Sequence, residues 1–376
     1  MVSLMKQSLD SLTGLRFVAA FLVVVFHFGN PPSPQLVHNI ISHGFVAVSL
    51  FFILSGFILT YNYIDGDGRL KTGKREFMVA RLSRIYPAYL LAFLVYAPFA
   101  LQQIATIDAH SPWVNTTYFA LAALTLLQSW SDATVLVWNE PAWSLSAEAF
   151  FYLMFPFVAP FILRLGGRRL LAAGLLLWLA SMAAFAVHQV NPGFDRNFWL
   201  FNPLVRLPEF LLGIVLGKLW LTRKPPRVQQ QLEAHAGWGV LASVAALLAL
   251  FSIDADESKF YNGMVAPLLM ALIYSLALGR GTVARLLALR PMVWLGEASY
   301  SLYILHWPLW FAITAFLVNY LPKFSKGALH FVACEVLTVA ASLAVFRYVE
   351  TPANRQLKKF LLGGKKPAAS AGPVTS

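Results

Sequence analysis

Charge is scarce in this chain: only 12% of its 376 residues are Asp, Glu, Lys or Arg, against roughly 25% in a soluble domain. That shortage excludes the water-facing surface of an ordinary soluble enzyme. Cysteine is nearly absent. The lone Cys334, set in an apolar segment, excludes a disulfide framework within one chain and a cysteine-based metal site, and it reads as core filler. Missing as well are a Gly-rich phosphate loop, the His-Glu-x-x-His spacing and a Gly-x-Ser-x-Gly elbow, so no metal is expected. No internal repeat stands out, which weakens a transporter reading. The run from Phe17 to Phe26 imitates a signal peptide but continues into His27-Phe28-Gly29-Asn30 without a small-x-small cleavage site, so it is expected to be a retained span.

What the chain has in excess is apolar surface. Hydrophobic residues make up 58%, with 30 Phe, 11 Trp and 13 Tyr, more than a soluble core can hold and suited to a bilayer. The expected fold class is an all-α polytopic membrane protein. Lys and Arg outnumber Asp and Glu by 29 to 17, and this surplus reads as loop topology, not as a nucleic-acid face.

Eleven apolar segments are candidate spans: 15–29, 45–63, 86–104, 115–130, 147–165, 169–188, 200–221, 236–253, 262–279, 299–321 and 328–349. Charge parity selects among them. With the N-terminus inside, the loop 64–85 carries Arg69, Lys71, Lys74, Arg75, Arg81 and Arg84 inside, as the positive-inside rule asks. If 115–130 also crossed, Arg164, Arg168 and Arg169, then Lys218, Arg223, Lys224 and Arg227, then Arg280, Arg285 and Arg290 would all fall outside. The short segment 115–130, polar at both ends, is therefore expected to be a re-entrant or surface helix, leaving about ten transmembrane helices. Asp254, Asp256 and Glu257 then lie outside, and Arg355, Lys358, Lys359, Lys365 and Lys366 inside, with Lys323 and Lys326 the exception in an outer loop. Residues 1–360 form one membrane-embedded domain and 361–376 a flexible cytoplasmic tail, so both termini are expected in the cytosol.

Ionisable groups cost at least ~2.5–3.5 kcal/mol at a span centre, and each therefore suggests a purpose. Arg16 and His27 are three turns apart, on nearly one face and ~16 Å apart along a helix axis. Singly they read as a snorkelling cation and a core histidine; together they read as a polar channel. Arg81 and Arg84 share a face as Arg-x-x-Arg, either an interfacial anchor or a receptor for cytosolic phosphate groups. In Trp143-Ser144-Leu145-Ser146-Ala147-Glu148, Ser144 reads as an N-cap and Glu148 as a first-turn carboxylate, or as the acid-base partner that orients His27. Arg206 and Glu209 read as an intrahelical ion pair. Tyr300, Tyr303 and His306 line one face ahead of Pro308, whose missing N–H frees a carbonyl and suits a cavity wall. Gly56 permits close helix approach or a thin wall beside a tunnel. Glu350 reads as part of a local stop signal and ion pair with Arg355.

Taken in order, these motifs resemble the acyltransferase-3 family of integral-membrane O-acyltransferases, which includes O-antigen and exopolysaccharide acetylases. The residues that carry the resemblance are Leu15-Arg16 with His27, Leu50-Phe51-Phe52-Ile53-Leu54-Ser55-Gly56-Phe57, Arg81-Leu82-Ser83-Arg84-Ile85-Tyr86-Pro87, Trp143-Ser144-Leu145-Ser146-Ala147-Glu148, Tyr300-Ser301-Leu302-Tyr303-Ile304-Leu305-His306 and Glu350-Thr351-Pro352. The resemblance implies ten spans in a bacterial inner membrane and transfer from acyl-CoA, by default acetyl-CoA, to a hydroxyl of a carbohydrate or lipid-linked glycan. It implies Arg16, Arg81 and Arg84 as donor-binding residues, His27 and Glu148 as catalytic residues, and Trp143, Tyr300, Tyr303 and His306 as substrate-binding residues. His27 would act as general base or through an acyl-histidine. Some members append an SGNH-hydrolase-like domain, which this sequence is expected to lack. The alternative reading is a transporter or flippase for a lipid-linked glycan.

Overall fold

The computed structural model describes residues 9–29, 34–65, 67–107, 112–190, 196–222, 224–252, 260, 263–324 and 326–363. The acidic loop Asp254, Asp256 and Glu257, Arg223 and most of the tail lie outside the described residues.

Among the described residues the chain is helical, with one isolated bridge between Ile64 and Leu70. The helices are α1 (Asp10–Phe28), α2 (Gln35–Ser42), α3 (Val46–Tyr63), α4 (Lys74–Ile107), α5 (Pro112–Leu124), α6 (Trp143–Arg164), α7 (Gly167–Val190) and α8 (Arg196–Phe201). They continue as α9 (Pro203–Leu221), α10 (Pro226–Ser252), α11 (Ala266–Ala277), α12 (Thr282–Leu287), α13 (Arg290–Glu297), α14 (Ser299–Tyr320), α15 (Gly327–Val345) and α16 (Thr351–Leu361). Eight helical stretches are long and apolar enough to cross a bilayer: α1, α3, α4, α6, α7, α10, α14 and the run from α15 into α16. α9, with Arg206, Glu209 and Lys218 in 19 residues, and the 12-residue α11 occupy the other two expected positions. The all-α polytopic class is thus the observed one.

Side-chain spacing sets the packing. On α1, Leu12, Leu15, Ala19 and Val23 recur every three or four residues and face the core. α3 is the most enclosed span and α7 the least; Leu171, Leu175, Leu176 and Leu179 of α7 stand exposed, as lipid-facing residues do. α3 meets α9 at Gly56 and Gly213. A Cβ on Gly213 would collide with the Ile53 carbonyl, and one on Gly56 with the Phe210 carbonyl, so the backbones approach as closely as small residues allow.

The segment expected not to cross is α5, 13 residues long and therefore ~20 Å, short of the ~30 Å hydrocarbon core. The chain reverses after it at Leu126, a non-glycine residue at φ 57°, a left-handed conformation that costs energy. Hydrogen bonds hold it there: Ser146 Oγ donates to Leu126 O at 2.6 Å, Ser129 Oγ to Trp143 O at 2.7 Å, and Gln128 Nε2 to Ala142 O at 2.9 Å. Non-helical backbone at membrane depth is tolerated when protein satisfies it in this way. α5 also packs on α4, where Phe93, Tyr96, Phe119 and Trp138 form a second small core.

Candidate active site

α1 carries a polar group into each of two side-chain clusters. In the first, His27 is half-buried. Its Nδ1 lies 2.9 Å from Val23 O and 3.1 Å from His306 Nε2, and its ring packs against Phe26, Phe28 and Trp307. His306 on α14 is fully buried, with Nδ1 2.5 Å from Tyr303 O. Two residues below it, Pro308 cannot donate to the Ile304 carbonyl. Asn139, from the buried segment before α6, supplies the missing donor: its Nδ2 lies 3.1 Å from Ile304 O.

The second cluster lies around Arg16. Arg16 is within electrostatic reach of Arg84, Glu148, Glu350 and Tyr152. Glu148 accepts from Tyr152 Oη at 2.5 Å and from Ser55 Oγ at 3.1 Å. Arg81 donates to Tyr63 Oη at 2.7 Å and lies over the rings of Tyr63 and Tyr152. Arg84 Nε stands 3.7 Å from Glu350, which also accepts from Ser301 Oγ at 2.6 Å. Lys358 of α16 faces Arg81 and Arg84. Glu350 reaches this position because Phe346–Glu350 is a π-helical turn. Pro352 has no N–H for the Tyr348 carbonyl, and the underwound turn swings Glu350 back to the buried face that Thr338 and Ser342 occupy on α15.

Arg16, Arg81, Arg84 and Glu148 are therefore brought together, and His27 meets His306 instead. Three expectations need correction. Glu148 does not hydrogen-bond His27; Tyr152 and Ser55 both donate to its Oε1. Ser144 is not an N-cap, because α6 already begins at Trp143 and Ser144 Oγ bonds Pro141 O and Tyr303 Oη instead. Glu350 is not a local stop pair with Arg355; its partners lie on α4 and α14.

Tyr300 donates to Ile85 O at 2.6 Å, and Tyr303 shares Ser144 at 2.7 Å, so each tyrosine ties α14 to a neighbouring helix. Trp143 lies over the Arg206 guanidinium. Sequence reasoning missed Tyr152 and Ser55 as Glu148 partners and Lys358 as a neighbour of the arginines. The four-residue spacing of Glu148 and Tyr152 was the available signal.

The chain belongs to the acyltransferase-3 family: the family's model, described as an acyltransferase domain, matches residues 9–347. It is an acyltransferase, a helical enzyme of the membrane. Acyltransferase MdmB of Streptomyces mycarofaciens is 29% identical over 397 residues, covering 96% of this chain and 95% of that protein. O-acetyltransferase OatA of Staphylococcus aureus strain MRSA252 is 27% identical over 387 residues, covering 97% of this chain, which spans 60% of OatA's length. No solved structure matches the chain. Nothing in these matches favours the transporter alternative.

Proposed function

We propose that this enzyme is an O-acyltransferase that moves an acyl group, acetyl by default, from a coenzyme A thioester to a hydroxyl of a surface or lipid-linked carbohydrate. The observation that carries the reading is the pairing of two polar clusters on one helix: a group of cations with few direct partners around Arg16, and an imidazole ~16 Å further along α1. The name of OatA supports oxygen as the acceptor atom and acetyl as the group.

Coenzyme A is polyanionic at its nucleotide end and slender along its pantetheine arm. Arg81, Arg84 and Lys358 suit the phosphates, the arginines through forked N–H groups. Arg16, steadied by the charges of Glu148 and Glu350, borders the path of the arm. His27 takes the proton from the acceptor hydroxyl as its oxygen bonds to the thioester carbonyl carbon. The carbon–sulfur bond then breaks, and the departing sulfur takes that proton, giving ester and free thiol. Trp143, Tyr300 and Tyr303 line the approach of the acceptor, and His306, with no exposed surface, stands behind His27. The positive-inside pattern supports an orientation in a bacterial inner membrane with the basic end and both termini in the cytosol.

The test is thiol release from acetyl-CoA by purified protein in liposomes, with and without surface glycan fractions. Acceptor-dependent release is expected, and His27→Ala should lower it by at least ~10²-fold without loss of membrane insertion. Absence of release with every glycan fraction refutes the donor and acceptor assignments, and residual activity above about a tenth in His27→Ala removes the base.

A further inference from the structure

Two backbone carbonyls decide where each proton of the histidine pair sits. A carbonyl oxygen only accepts, so His27 Nδ1, 2.9 Å from Val23 O, must carry the hydrogen of that bond. By the same rule His306 Nδ1, 2.5 Å from Tyr303 O, is a donor, and in the neutral ring its Nε2 is then a bare acceptor. The 3.1 Å contact between His306 Nε2 and His27 Nδ1 becomes a second branch of the His27 N–H bond. For two neutral rings no other assignment satisfies all three contacts. It leaves one ring nitrogen, His27 Nε2, with no hydrogen-bond partner among the described residues and a free lone pair.

Burial gives the two rings different places. His306 has no exposed surface, so neither a donor nor an acceptor molecule touches it, whereas His27 is half-buried. The other rings against His27 are the uncharged Phe26, Phe28 and Trp307.

Resting on the acyl-transfer reading above, we propose that His306 is a positioning residue. Together with Val23 O, it holds His27 in the Nδ1–H tautomer and in one orientation, so that His27 Nε2 is the atom that accepts the hydroxyl proton. In many hydrolases a carboxylate does this work. A neutral imidazole stabilises the protonated base less than a carboxylate would. The proton is therefore handed on readily to the leaving sulfur, and the balance of the transfer step is unchanged.

The tautomer is read directly by solid-state nitrogen-15 NMR of bilayer-reconstituted protein with labelled histidines, the His27 signals being assigned by difference from His27→Ala. Protonated Nδ1 and bare Nε2 are expected in the wild type and in His306→Gln, whose amide oxygen reaches the place of Nε2. An Nε2-protonated population is expected in His306→Phe. In the kinetic arm, His306→Phe should lower kcat by roughly a hundredfold with donor KM within about twofold. His306→Gln should recover at least about tenfold of that loss. Should the Phe variant fail to fold, His306→Asn, whose oxygen stands at the Nδ1 position and falls short of His27, takes its place in the comparison. A bare Nδ1 in wild-type His27, or equal kcat in the Gln and the Phe or Asn variants, overturns the proposal. Because the NMR reading needs no turnover, a protein that transfers no acyl group would refute the function while leaving the tautomer assignment measurable.

Discussion

Arg206 and Glu209 stand 2.9 Å apart with side chains 2% and 1% exposed, while Arg84 stands 3.7 Å from Glu350 with its side chain 32% exposed. Both pairs lie within one helical bundle, and the surroundings differ as much as the distances. The Arg206 guanidinium is held over Phe52 and Trp143 and donates to Ser49 at 3.1 Å, so α3, α6 and α9 close around it. Arg84 shares its cluster with Arg16, Arg81 and Lys358, cations that raise one another's cost. A buried charge that is paired and enclosed fastens helices together. Cations gathered with too few carboxylates are in place for an anion that comes and goes.

The largest effect should come from opening the closed pair. Arg206→Ala leaves Glu209 as an uncompensated buried charge, worth about 3–5 kcal/mol, and should show as loss of monodisperse protein in detergent and a lowered unfolding temperature. Replacing both, with Met at 206 and Leu at 209, should restore most of that loss, because a well-packed apolar pair removes both desolvation costs. If the double variant is as unstable as the single one, the pair does more than fasten helices.

In the open cluster, the same operation should spare the fold and change binding. Arg81→Lys or Arg84→Lys keeps the charge but loses the planar fork, and should raise donor KM roughly ten- to hundredfold with a smaller change in kcat, more so at high salt. Unchanged KM in both would place the phosphates elsewhere. Glu148→Gln retains an acceptor for Tyr152 and Ser55 but removes the charge facing Arg16, so kcat should fall about tenfold with donor affinity nearly kept. A KM effect larger than the kcat effect would assign Glu148 to donor binding. The smallest change is expected for Lys358→Ala: a half-solvated cation contributes ~0–1 kcal/mol, a shift in donor KM of about fivefold or less.

The sequence made the bundle legible because membrane insertion is nearly a one-dimensional problem. Apolar length and the distribution of Arg and Lys fix which segments cross, and 115–130 was set aside on that ground alone. The Arg206–Glu209 pair and the shared face of Arg81 and Arg84 were readable for a similar reason, since three-residue spacing is local. The contacts that define the two clusters were not. His27 and His306 are 279 positions apart, and Ser301 and Glu350 meet across 49. Periodicity tells which side of a helix is polar but not which helix lies opposite. Glu148 was assigned to His27 because charge parity put both in the outer half of the membrane. Glu350 was hidden by a local irregularity, the π-helical turn, which no hydrophobic pattern reveals.

The bond from Asn139 to Ile304 gives two distant positions a common fate. A proline at 308 leaves Ile304 O without its helical donor, and Asn139 is useful because that vacancy exists. Restoring an N–H with Pro308→Ala would set two donors competing for one oxygen, while removing Asn139 alone would strand the oxygen. The two substitutions should thus be epistatic, each harmful alone and mild together. In descendants of this sequence, proline and asparagine should be kept or lost as a pair, leaving a correlated mark at positions 169 residues apart in a chain whose other inheritance is set by lipid.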